Sequence, residues 1–307
     1  MDRSITSPEA ERAMPFDGMP SEQGIAGVGM EADGPFRPAS DGSPAATRDD
    51  ARARRHDIEQ AFLRKYSHEF LTAVPDHVAW DFDAPDGAGM SDAKEKAGRL
   101  KPWLQSTAEF GLSSVLTNTN VAATLVESEN VNIVAMGRSS RHNDDDCFLN
   151  YLEYLRSSSA DFVTIVTGAG YVAKRHPLTW HAVHGPKLVI GSAPNYCPMV
   201  AQHTETVDLL KEMYVANLIN RDEFHDIMLQ PLVDAGVISG PRRMVIDFLG
   251  IVCGLIKLCP SGHVMYGAAV SYAVQSGIWK SPIAVGAPFT GSLEDADFGP
   301  YTWIERQ

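Results

Sequence analysis

Five groups of residues in this chain have the types and spacing to do chemistry. His181 and His184, with two residues between them, and Cys197 and His203 downstream have the donor types of a zinc site, though in no order that defines a zinc module. Their other reading is a set of imidazoles at the edge of a core, beside Trp180, Val183 and Pro186. The stretch from Gly137 to Asp146 offers the guanidinium groups of Arg138 and Arg141 to an anion, or its three aspartates to a hard divalent cation. The aspartates would equally well cap the helix that follows. Thr167-Gly168-Ala169-Gly170-Tyr171 follows an apolar run and could bring backbone amides against a phosphate, with Gly168 and Gly170 giving the close approach. It lacks the third glycine of a dinucleotide fingerprint, so a turn of purely structural purpose competes.

Arg52, Arg54, Arg55, Arg64 and Lys65 form the densest basic cluster, a footprint for nucleic acid or an acidic partner, or else a solvated helix face. Cys147 follows three aspartates at a helix start. With His142 as base it would be a nucleophile, and as a small apolar side chain it needs no function. The chain has no G-x-S-x-G, P-loop, H-E-x-x-H, kinase or paired C-x-x-C signature, and no cofactor is expected.

The elements that must position these groups show in the hydrophobic pattern. Ile58, Phe62, Tyr66 and Phe70 recur every four residues and predict an amphipathic helix over 51–74, closed by Pro75. A second helix is expected from Ser91 to about Leu116, interrupted at Pro102. Three β-branched runs closed by glycine predict strands at 131–137, 162–168 and 187–191, with a helix at 147–156 between the first two. Thr204 opens a helix, and Asn220-Arg221-Asp222-Glu223 has capping-box spacing for the next. Two apolar helices follow, at 243–258 and 263–277, carrying the small residues Gly250, Gly254, Gly267, Ala268, Ala269, Ser271 and Ala273. Neither reaches the roughly 20 residues needed to cross a bilayer, so a buried helical hairpin is expected and no membrane span.

The expected fold class is therefore helix-rich α+β, with about seven helices and a small sheet of three to five short strands. The alternative is a three-layer α/β arrangement with a parallel sheet. Residues 1–50, rich in Gly, Pro, Ser and Ala and with ten acidic against four basic side chains, read as a disordered arm before a single globular domain over 51–307. Thirty-nine acidic residues oppose 26 basic ones over the chain, a net charge of −13, which argues against a general nucleic-acid coat and leaves only a local contact. Four cysteines and no apolar leader fit a reducing, cytoplasmic setting. The arm and the apolar helices suggest a non-enzymatic assembly protein, a coat or scaffold subunit forming homo-oligomers. The alternative is an α/β enzyme or binding protein that recognises an anionic, phosphate-bearing small molecule at the loops after its strands.

Overall fold

Strands and helices alternate along most of the chain, an order that favours a sheet covered on both faces. In this computed structural model the described residues are 48–74, 100–117, 131–135, 146–167, 170–192, 199–258, 266–286, 288–292 and 302–306. They form α1 (Arg48–Lys65), β1 (His68–Val74), β2 (Leu112–Thr117), β3 (Val131–Ala135), α2 (Asp146–Ser157), β4 (Phe162–Val166), β5 (Tyr171–Ala173), α3 (Pro177–His184) and β6 (Leu188–Ser192). A 3₁₀ turn at Val200–Gln202 leads to α4 (Thr204–Val215), α5 (Arg221–Met228), β7 (Val233–Pro241), α6 (Arg242–Leu258), α7 (Tyr266–Gln275), β8 (Ile283–Val285), β9 (Thr290–Ser292) and β10 (Ile304–Arg306). Residues 100–107 are also helical. No helix among the described residues is long and apolar enough to cross a membrane.

The main sheet has seven strands in the order β3-β2-β1-β4-β7-β6-β8, and a second has the order β5-β10-β9. β1 pairs in parallel with both β2 and β4, so the chain builds outward in one direction through β2 and β3 and then returns across to β4. β7 alone runs antiparallel to its neighbours β4 and β6 in the main sheet. Both versions of the expected fold class are thereby corrected. The sheet is larger than three to five strands and it is mixed rather than parallel, giving a mixed α/β fold.

The missing strands have identifiable causes. The four-residue recurrence at Ile58, Phe62, Tyr66 and Phe70 runs through a junction: the helix stops at Lys65, and His68–Val74 is a strand in which both Phe70 and Leu71 are fully buried on opposite faces. Leu116 likewise belongs to a strand, because the chain leaves its helix and turns at Gly111, where φ is 145°. β7 reads as a loop in the sequence because it holds two glycines and a terminal proline. Gly240 in that strand has φ 157°, and a Cβ there would sit 2.9 Å from the Lys187 carbonyl oxygen, so the close pass between β7 and the chain entering β6 requires glycine.

Helices cover both faces. One face packs Leu71, Leu116, Ile165 and Ile238 against apolar residues of α2, α4, α6 and α7. On the other, Phe70, Val115, Val166 and Val237 pack against Trp103, Trp180, Phe289 and Trp303. The C-terminal helices are thus covered by the chain's own sheet: Phe248, Val252, Val270 and Ala273 are fully buried. Their glycines do not mediate a close approach, since a Cβ at Gly250, Gly254 or Gly267 would meet nothing within 4 Å. The buried faces of these helices need no second subunit to cover them.

One charged group lies inside this core. Glu69, 3% exposed, accepts hydrogen bonds from Ser114, Tyr154 and Ser158, tying β1 to β2 and to the end of α2. Burial and the neighbouring carboxylate push the Tyr154 phenol above its ordinary value, so it stays a donor. Replacing Glu69 with Ala removes the acceptor shared by three hydroxyl groups, leaving Ser114 and Tyr154 only each other, 3.0 Å apart, to donate to. Urea denaturation is expected to show a loss of about 3 kcal/mol or more, and a loss below about 1 kcal/mol would contradict the role of this network.

Candidate functional site

α1 packs against α3 on the aromatic side of the sheet. Its anchors are few. Phe62 and Tyr66 place their rings 5.6 and 5.4 Å from that of Phe162 at the start of β4, while Ile58 stays 52% exposed. α3 begins at Pro177, which suits a first helical turn, and is capped by His176, whose Nδ1 accepts from the Leu178 amide at 3.1 Å. It stops at Gly185, with φ 80°.

Between α1, α3 and the chain around β5 and β10 lies a pocket of about 630 Å³ lined by Arg52, Arg55, His56, Glu59, Arg175, His184, Pro288 and Trp303. The size is that of a small-molecule site. Three guanidinium groups and one carboxylate give it a formal surplus of two positive charges, in a chain whose net charge is −13. Arg55 Nε donates to Glu59 at 2.9 Å, an exposed i,i+4 pair of small energetic worth that fixes the direction of the guanidinium. The Arg175 guanidinium sits 5.1 Å over the ring of Trp303. That indole is buried and held by its N–H, which donates to Thr179 Oγ1 at 2.7 Å. His184 stacks on Trp180, with centroids 4.5 Å apart and planes 23° apart. Its Nδ1 lies 3.0 Å from the Trp180 carbonyl oxygen. A carbonyl only accepts, so Nδ1 carries the proton and Nε2 is the nitrogen left for the pocket. Partial burial of the ring lowers the pKa of this imidazole, although the residue as a whole is exposed; the Trp180 carbonyl opposes the shift, and the charges of Lys187 and Arg55 add to it.

Beneath the pocket lies a second, buried group of histidines. His68 Nε2 is 2.8 Å from Thr164 Oγ1, which is 2.8 Å from Ser239 Oγ, and His181 Nε2 makes a longer 3.5 Å approach to the same serine. The rings of His68 and His176 lie 5.1 Å apart. Burial holds all three imidazoles neutral: His176 is lowered to about 4 and His181 to about 3, while His68 falls well below its ordinary value, because burial and the closeness of His176 and His181 disfavour a second proton in the group. The Gly185 backbone, close to His181 but outside hydrogen-bonding geometry, partly offsets the effect there.

The sequence candidates divide as follows. Arg52 and Arg55 line the pocket and meet Arg175, which sequence reasoning did not select. Arg54 and Lys65 lie roughly 210° round the helix from Arg52, and Arg64 about 120°, so the basic cluster does not act as one patch. Arg138, Arg141, Gly168 and Cys197 lie outside the described residues, as does the Cys147 side chain. Gly170, with φ 86°, belongs to the link between β4 and β5 and does not line the pocket. Of the zinc candidates, His181 is in the core and His184 on the pocket wall, while His203 caps α4, its Nδ1 accepting from the Thr206 amide at 3.3 Å. Among the described residues no three His, Cys, Asp or Glu side chains gather as a metal site. Cys253 is buried, which raises its thiol to about 11 and keeps it unreactive. Arg175 was legible only as one of three consecutive basic residues, and Trp303 as one aromatic of a Gly/Pro-rich tail. Comparison with protein-family models and with curated protein sequences finds no match for this chain.

The buried imidazoles make stability depend on pH. Their folded pKa values lie below the unfolded value of about 6.5, so below that pH the unfolded chain binds more protons and stability is lost as pH falls towards 3–4. Each contributes up to about 1.4 kcal/mol per pH unit in that window. Chemical denaturation at pH 7, 6 and 5 is expected to show this fall, with a shallower slope for His181→Gln. Equal slopes would contradict the buried, neutral state of His181.

Proposed function

We propose that this chain is an α/β binding protein that takes an anionic, phosphate-bearing small molecule in the pocket beneath α1. The observation that carries the reading is the convergence of Arg52, Arg55 and Arg175, from two separate parts of the chain, on one concavity of ligand size in an otherwise acidic protein. Guanidinium forks match phosphate and carboxylate oxygens. Arg175 is pre-oriented by Trp303 and Arg55 by Glu59, which lowers the ordering cost of binding. A volume of about 630 Å³ exceeds what a bare phosphate needs and admits a nucleotide or phosphosugar.

An extended nucleic acid is a poorer occupant. Of the cations the sequence singled out on α1, Arg54, Arg64 and Lys65 turn to other sides of the helix, so they extend no basic track from the pocket. The assembly reading keeps one observation in its favour, an apolar tip where α4 meets α5 that exposes Tyr214, Val215 and Leu218. It is a smaller surface than the sequence suggested, and we place it second.

Titration calorimetry with inorganic phosphate, pyrophosphate, a nucleoside 5′-monophosphate and a short single-stranded oligonucleotide tests the proposal. Binding of the mononucleotide is expected to weaken tenfold or more in Arg52→Ala, about the value of one charge-assisted hydrogen bond. Arg52 is exposed and Ala suits a helix, so the fold is unaffected. Failure of all the small anions to bind, or equal binding by Arg52→Ala, would overturn it. Tight binding of the oligonucleotide alone would assign the pocket to nucleic acid.

A further inference from the structure

We infer that an anion entering the pocket beneath α1 brings one proton with it, taken up at Nε2 of His184, so that this side chain makes affinity sensitive to pH. The inference rests on the reading of that pocket as an anion site and specifies how it is regulated.

The geometry leaves His184 one role for each nitrogen. Nδ1 donates to the Trp180 carbonyl at 3.0 Å, and the stack on Trp180 fixes the ring plane. Nε2 has no hydrogen bond among the described residues while its residue lines the pocket. In the neutral ring Nε2 presents a lone pair, which repels an anionic oxygen; once protonated it presents an N–H and a positive charge. The charges around it decide which form persists. From α1 come Arg52, Arg55, His56 and Glu59, from the segment after β5 Arg175, from the chain leading into β6 Lys187, and from its own helix His181 one turn earlier. Trp303 and Pro288 complete the wall without charge. With no anion present, cations outnumber the single carboxylate, and they join burial in keeping the imidazole neutral. A dianion beside Arg55 cancels that repulsion and adds attraction, so binding and protonation favour each other. His181 cannot play this part, because it is fully buried and borders Ser239 rather than the pocket.

Sulfate is the probe, because it does not itself titrate between pH 5.5 and 8. Calorimetry of the full chain with sulfate at pH 6.0, 6.75 and 7.5 is expected to show affinity falling by about tenfold across the series, the limit being tenfold per pH unit for one coupled proton. At pH 6.75 the heat should change between phosphate and Tris buffers, reporting proton uptake, with phosphate's own competition measured separately. In His184→Gln the affinity should vary by less than about twofold over the same range, whereas His225→Gln, on α5 and outside the pocket lining, should keep the wild-type slope. Binding that is independent of pH yet weakened by Arg52→Ala would overturn the proton coupling and leave the pocket standing. A slope lost in His225→Gln and kept in His184→Gln would also overturn it. Absence of sulfate binding at every pH would remove the pocket reading, and this inference with it.

Discussion

The pocket depends on how a helix with very little apolar surface is held against the sheet. α1 offers Phe62, and just beyond its end Tyr66, to the ring of Phe162, and its remaining contacts run along α3. An 18-residue helix composed largely of charged residues would be marginal alone. Its seating therefore comes from those rings, and it is the seating that faces Arg52 and Arg55 towards Arg175. The ion pair between Arg55 and Glu59 orients a side chain but is too exposed to hold the helix in place.

The surface that receives α1 is unusual in its polarity. β1 carries an ionisable residue to each face of the sheet: Glu69 among hydroxyl groups on one side, His68 beside Thr164 on the other. Hydroxyl donors suffice for the first because a carboxylate accepts several hydrogen bonds, and its partners are all donors. The second is tolerated because imidazole can give up its charge, and His68 of β1 does so together with His176 and His181 of the capped helix α3. His184, one turn beyond His181 and open to the pocket, differs from them in having a nitrogen that a ligand can reach.

How much of this was legible in the sequence varies with the physics of each element. The continuous β-branched runs at 131–137, 162–168 and 187–191 correspond to β3, β4 and β6; β4 and the start of β6 are buried on both faces and show no alternation to misread, whereas β3 is an edge strand that exposes Asn132. The capping box at Asn220 and Glu223 forms as its spacing implied. β1 was hidden by an accidental helical period spanning two elements, and β7 by glycines and a proline whose purpose is a tertiary contact with Lys187. The site was half legible. Arg52 and Arg55 stood in a visible cluster, yet local density could not separate them from Arg54, Arg64 and Lys65, which point elsewhere. Arg175 and Trp303 reach the pocket through the pairing of β5 with β10, a contact between residues more than 120 positions apart. No local pattern encodes a pairing of that range.

On the proposed reading, three arginines from distant parts of the chain make one anion site. Soaking crystals of the protein in tungstate and computing an anomalous difference map tests it most directly, because the heavy oxyanion reports its own position. A peak bounded by Arg52, Arg55 and Arg175 is expected. A peak only at the segment carrying Arg138 and Arg141, or no ordered peak at all, would contradict it.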